Sequence, residues 1–216
     1  EELQGHMNLT SANSINVARF LPQAFYYFNA YAQAKKLGKA DNLTICVPSG
    51  NFGNITAGLF AQRMGLPIKH FIAANNANDI FYNYLLSGIY SPKASIQTIA
   101  NAMDVGDPSN FARILDLYKS SHTEICNHIS GATYTDDEIA ATMKKCYEQT
   151  GYVLDPHGAC GYQALKDNLK EGETGVFLET AHPAKFKEKV DAILSTDIEI
   201  PTRLADFMKG KKQSLE

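Results

Sequence analysis

Leu43-Thr44-Ile45-Cys46-Val47-Pro48-Ser49-Gly50-Asn51-Phe52-Gly53-Asn54 is the stretch on which the reading of this chain turns. Leu43 to Val47 form an apolar run of strand length, and Ile55-Thr56-Ala57-Gly58-Leu59-Phe60-Ala61-Gln62-Arg63-Met64 reads as a helix closed by Gly65. A buried strand, a glycine-bearing turn and a helix N-terminus in succession leave several backbone N–H groups unpaired at the positive end of a helix dipole. That is an anion cradle, most naturally for a phosphate. Gly50 and Gly53 allow close backbone approach, and Ser49, Asn51 and Asn54 offer side-chain donors. The spacing fits neither G-x-G-x-x-G nor the lysine-bearing P-loop, so neither a dinucleotide nor a nucleoside triphosphate is expected. On spacing alone an ordinary strand-to-helix turn explains the stretch equally well.

Outward from this unit, residues 68–74 read as the next strand, which makes a βαβ element and hence a parallel sheet. Asn75, Asn76, Asn78 and Asp79 at its end read as a turn and helix cap rather than as ligands. Upstream, Asn13 or Ser14 caps a helix running to about Leu37, with Leu21, Phe25, Phe28 and Ala32 as its apolar stripe and Pro22 as a kink or true start. The aromatics Phe25, Tyr26, Tyr27, Phe28 and Tyr31 read as packing, and residues 1–10 as a helix end or linker. Downstream, residues 87–110 are loop-like, and Asp107-Pro108-Ser109-Asn110 caps a helix from Phe111 to about Ser120. Thr135-Asp136-Asp137-Glu138 has capping-box form and opens a helix closed by Gly151. Asp155-Pro156-His157-Gly158 starts another, in which Gly158, Ala159 and Gly161 permit close packing on the sheet and His157 reads as a packing residue. Gly175 to Glu179 is a final buried strand, Pro183 opens the last firm helix, and the tail beyond Pro201 is loosely held.

The 216 residues, 44% hydrophobic and 20% charged, suffice for one good-sized domain with a substantial core. A formal net charge of −3 gives no electrostatic footprint for nucleic acid or an anionic membrane. No apolar run approaches the roughly 20 residues a spanning helix needs, and no signal peptide is visible, so a cytoplasmic protein is expected. Cys46, Cys126, Cys146 and Cys160 lack C-x-x-C spacing and read as reduced thiols in apolar segments. The six histidines lack metal-ligand spacing, and no metal is expected.

Ser49-Gly50-Asn51-Phe52-Gly53-Asn54 resembles the loop that holds the phosphate of pyridoxal 5′-phosphate in the threonine synthase family of fold-type II enzymes. Leu9 to Arg19, Met103 to Phe111, Leu154 to Ala159 and Glu179 to Phe186 are similar to further segments of that family, in the right order. The resemblance covers nearly the whole chain. It implies an α/β fold, an open parallel sheet with helices on both faces, belonging mostly to the large cofactor domain. It implies pyridoxal 5′-phosphate as cofactor, held by Ser49, Gly50, Asn51, Phe52, Gly53 and Asn54, with the Thr180 hydroxyl facing the pyridine nitrogen. Ser14, Asn16 and Arg19 are implied to face the substrate, a bidentate guanidinium being a natural partner for phosphate or carboxylate. The implied reaction converts O-phospho-L-homoserine and water to L-threonine and phosphate.

One departure from the family pattern limits this reading. The Ser-Phe-Lys-like motif carrying the Schiff-base lysine does not occur in this sequence. The chain thus resembles the C-terminal half of such an enzyme. It is expected to be inactive alone, to contain no catalytic residue of its own, and to self-associate through an exposed sheet edge. A serine or threonine dehydratase, or a non-catalytic module that binds a phosphate ligand, remain alternatives.

Overall fold

A computed structural model describes residues 13–211. The expectation for residues 1–10 lies outside the described residues, as does the start of the segment from Leu9. Asn16 caps the first helix, its Oδ1 accepting from Ala18 N at 2.9 Å, and α1 (Val17–Phe20) follows. Pro22 sits in a 3-10 turn, Leu21–Gln23, that leads into α2 (Ala24–Lys36). The expected stripe of Leu21, Phe25, Phe28 and Ala32 is exposed, whereas Phe20, Ala24, Tyr27 and Ala34 are buried. Two adjacent stripes of this helix are about equally apolar, so periodicity could not choose between them. Tyr27 decides it: its hydroxyl donates to Asn54 O at 2.9 Å and Asn54 Oδ1 at 2.8 Å, and its ring lies where Gly58 has no side chain. Phe25, Tyr26 and Phe28 are therefore not core.

β1 (Leu43–Pro48), β2 (His70–Asn75), β3 (Ile129–Thr133) and β4 (Thr174–Phe177) form a parallel sheet in the order β3-β2-β1-β4. Ile45 pairs with Phe71 on one side and Val176 on the other, and Ala73 pairs with Gly131. Leu43, Ile45, Val47, Phe71 and Ile129 pack on one face with Tyr27 and with Ile55 and Leu59 of α3 (Gly53–Arg63). Cys46, Ile72, Ala74 and Ala132 pack on the other with Ile139 and Met143 of α7 (Asp136–Thr150) and Cys160 and Ala164 of α8 (Pro156–Asn168). Covering both faces buries every residue of β1, which explains its unbroken apolar run.

α4 (Ile80–Ser87), α5 (Phe111–Leu117) and α6 (His122–His128) join the first layer. The capping box on α7 forms as expected, with Gly151 left-handed at its end. β3 and α6 were not anticipated, because Ile129-Ser130-Gly131-Ala132-Thr133 has no apolar run and the helix before it is short. β4 departs from the expected buried strand: all its residues are half-buried, since it forms the edge of this sheet. After it come a 3-10 turn (Pro183–Phe186), α9 (Lys187–Leu194), which buries Val190, and α10 (Thr202–Met208), which buries nothing.

The strand order places the site. The chain leaves β1 toward β2 on one side, while β4 flanks β1 on the other, so a crevice opens at their carboxyl ends. Ligands of open α/β sheets sit at such a switch point. The Ser49–Phe52 turn and Thr180 face it.

Candidate cofactor site

A cavity of about 230 Å³ occupies that crevice. Ser49 to Ile55 form one wall, Ala102 and Met103 another, and His157, Thr180 and Ser14 complete it. Phe52, the residue before α3, has φ 62° and ψ 11°, a left-handed conformation unusual for an aromatic residue. It is held there by burial of its ring, 4.6 Å from that of Phe81. Among the described residues no side chain caps α3. Among the described residues the N–H groups of Gly50 to Ile55 have no acceptor, the ladder beginning at Thr56 N to Phe52 O, 3.0 Å. These donors and the helix dipole suit an anion.

The glycines serve protein contacts as much as a ligand. A Cβ at Gly50 would lie 2.7 Å from Ala102 O and Met103 Cα. That loop is fixed from β2: Asp104 Oδ1 accepts from Asn76 Nδ2 at 2.8 Å, Asn78 Nδ2 at 3.2 Å and Thr98 Oγ1 at 2.7 Å. Asn75 Nδ2 donates to Ser49 O at 3.0 Å. Asn75 at the end of β2 and the asparagines after it thus hold the cavity wall without lining it.

The expected side-chain donors divide. Ser49 Oγ donates to Val47 O at 2.8 Å, and Ser49 N to Ala74 O at 2.8 Å. Asn51 Nδ2 donates to Ser14 Oγ at 2.7 Å, while its Oδ1 accepts from Ser109 N at 2.7 Å and Ser109 Oγ at 2.9 Å. Both side chains are engaged by protein, which leaves the Asn54 amide nitrogen, whose own oxygen is taken by Tyr27. Thr180 lies on the opposite wall and also lines a second cavity of about 410 Å³ that shares Gln23 and Asn54. Of the implied substrate group, Ser14 lines the first cavity and Asn16 caps α1, whereas Arg19 is exposed and outside the wall.

From the sequence Asn110 reads as part of a cap and His157 as packing; both support the site. Asn110 does not cap α5; its Nδ2 donates to Asn51 O at 2.9 Å and Ser14 O at 3.2 Å. Arg113 donates to Asn110 Oδ1 at 2.6 Å and to Ile15 O, and covers the Phe20 ring. His157 does more than pack: Ala102 N donates to its Nε2 at 3.1 Å, which leaves Nδ1 as the protonated nitrogen, donating to Asp155 Oδ1 at 2.6 Å. The signal that could have found these was the juxtaposition of polar residues in Ser109-Asn110 and Asp155-His157, each too short to separate a cap from a site. Among the described residues no lysine lines either cavity, and no group of three or more His, Cys, Asp or Glu could hold a metal.

An uncapped helix N-terminus, a neighbouring amide and a hydroxyl on the far wall suit a phosphorylated ligand at a switch point. The family described as "Pyridoxal-phosphate dependent enzyme" matches residues 5–180, and this chain belongs to it. The family described as "Threonine synthase, C-terminal" matches residues 158–216. The chain is 50% identical to threonine synthase of Haemophilus influenzae over 203 residues, 94% of this chain and 47% of that protein. It is similar to the crystal structure of threonine synthase from Escherichia coli, with a TM-score of 0.88 and 46% identity over 95% of this chain and 47% of that one. For the structure of pyridoxal-phosphate-bound threonine synthase from Brucella melitensis the TM-score is 0.89, with 37% identity over 98% and 50% of the two chains. The chain spans about half the length of the curated relatives it matches. Pyridoxal phosphate is the cofactor of the family, and the donor set around this cavity fits it.

Proposed function

We propose that this chain is the cofactor-cradling, C-terminal portion of a threonine synthase, which converts O-phospho-L-homoserine and water to L-threonine and phosphate. The observation that carries the reading is the uncapped start of α3, open to a cavity whose far wall is Thr180. Bound pyridoxal phosphate would supply an electron sink for negative charge developing on substrate carbons. The N–H groups at the start of α3 and the Asn54 amide would hold its phosphate, while Ser49, Gly50, Asn51, Phe52 and Gly53 shape the turn. The Thr180 hydroxyl would be the partner of the pyridine nitrogen and, unlike a carboxylate, would not force a proton onto it. Ser14, Asn16 and Arg19 receive the substrate; for Ser14 the support is its place on the cavity wall, for Arg19 it is the resemblance alone. The Schiff-base lysine is assigned to the half of the relatives' length that this chain does not span.

The setting is taken to be cytoplasmic; among the described residues no helix is long and apolar enough to cross a membrane. The test is product analysis on the complete protein with O-phospho-L-homoserine. Phosphate and threonine in equal amounts, slowed at least tenfold by Thr180→Ala, are expected. A 2-oxo acid as product would indicate a dehydratase, and no turnover with retained phosphate-ligand binding would indicate a binding module.

A further inference from the structure

Two carboxyl groups meet behind the Thr180 wall, and among the described residues no Lys or Arg is paired with either. Asp155 is fully buried at the start of α8, and Glu179 is the residue before Thr180. Asp155 Oδ1 accepts from His157 N at 2.8 Å and His157 Nδ1 at 2.6 Å. Glu179 Oε1 accepts from Asp155 N at 3.3 Å. Among the described residues the remaining oxygens, Asp155 Oδ2 and Glu179 Oε2, are both buried and without a partner. Gly158 makes the arrangement possible, since a Cβ there would lie 2.1 Å from Glu179 Oε2. His157 and Tyr152 are the titratable groups that face the pair, and among the described residues neither carboxyl has a Lys or Arg partner. Two ionised carboxylates in this setting repel, and both oxygens stay orphaned; one proton between them removes both faults.

We propose that Glu179 is a positioning residue: its carboxyl keeps a proton, donates it to Asp155 Oδ2, and so fixes Thr180 against the start of α8. Leu178 N, bonded to Cys46 O at 3.0 Å, is the last backbone tie to the sheet, and among the described residues Glu179 to Ala181 donate no backbone hydrogen bond. The carboxyl contact is therefore what anchors this wall. Burial, with the bond to Asp155 adding to it, pushes Glu179 up to about 8. Burial would also raise Asp155, but hydrogen bonds from His157 and Glu179 outweigh it and hold that carboxyl below the usual range. A carboxyl raised above its unfolded value contributes most at low pH, and that contribution is lost as pH rises through about 8. The wall loosens in that window, while Asp155 stays ionised.

The experiment uses the complete holoenzyme and pairs infrared difference spectroscopy with titration of pyridoxal phosphate. Near neutral pH the wild type shows a protonated-carboxyl stretch that disappears in Glu179→Gln. Relative to that variant, wild-type affinity for pyridoxal phosphate falls about tenfold between about pH 7 and about pH 9, as the protonated fraction drops. Glu179→Gln keeps both hydrogen bonds without a titrating proton, so its affinity carries no such fall. Asp155→Asn, which donates to an ionised Glu179, abolishes the fall as well and serves as the second variant. An equal alkaline fall in Glu179→Gln, or a wild type without the protonated-carboxyl stretch, overturns the proposal. The titration rests on pyridoxal phosphate occupying this cavity, whereas the infrared signal does not. Failure to bind the cofactor at any pH would therefore count against the proposed function, and the infrared band would still decide the proton.

Discussion

At Phe52 two energies oppose each other. A left-handed conformation costs a non-glycine residue roughly 1–2 kcal/mol, whereas truncating a buried Phe costs roughly 3–5 kcal/mol. Ring packing on Phe81 wins, so the strain is tolerated. It follows that Phe52→Gly, which loses the ring but relieves the backbone, destabilises no more than Phe52→Ala, an inversion of the usual order. Urea denaturation of the complete protein without cofactor checks this; a Gly variant weaker than Ala by about 1 kcal/mol or more would show that the conformation carries no strain. Arg19 is the weakest member of the implied substrate group. The reading requires Arg19→Ala to lower kcat/KM about tenfold or more in the complete enzyme, and an unchanged value would remove it from the site. The turn was legible as an anion cradle because its glycines and asparagines sit between a strand and a helix. That the Ser49 and Asn51 side chains would be taken up by Val47, Ser14 and Ser109 was not, since two of these partners lie far along the chain.

Among elements, those with punctuation were the readable ones. β1 and α3 announce themselves by an apolar run, a glycine turn and the positive-φ Gly65. α7 does so by the Thr135–Glu138 box, in which Thr135 Oγ1 accepts from Glu138 N at 3.3 Å and Glu138 Oε2 accepts from Thr135 N at 2.8 Å. Thr135→Ala is expected to cost about 1 kcal/mol of stability by thermal or chemical denaturation. A cost near zero would mean that the tertiary contacts of α7 alone hold its first turn. α2 was misread because aromatics fill two neighbouring stripes, and only Tyr27, through Asn54 and Gly58, distinguishes the inner one. β3 escaped because its pairing with β2, rather than any pattern of its own, makes Ile129–Thr133 a strand.

For the molecule as a whole, the parallel sheet and its two cores follow from a chain that alternates strands and helices, and the strand order then brings Ser49–Ile55 and Thr180 to one crevice. The half-buried β4 edge and the exposed Leu21, Phe25 and Phe28 leave apolar surface uncovered in this chain. On its own the chain is expected to self-associate in sedimentation experiments, less so with Phe25→Glu and Phe28→Glu together; monomers throughout would refute this. The central claim is that the start of α3 holds a phosphate. Titrating the complete protein with pyridoxal phosphate and with pyridoxal, which lacks the phosphate, tests it most directly when repeated in Asn54→Asp. A carboxylate there occupies the helix N-terminus and should stabilise α3 by roughly 0.3–1 kcal/mol while repelling the anion. A wild-type preference for the phosphorylated ligand of about a hundredfold or more, from two or three charge-assisted hydrogen bonds, is expected, most of it lost in Asn54→Asp. An unchanged preference in that variant would place the phosphate elsewhere and contradict it.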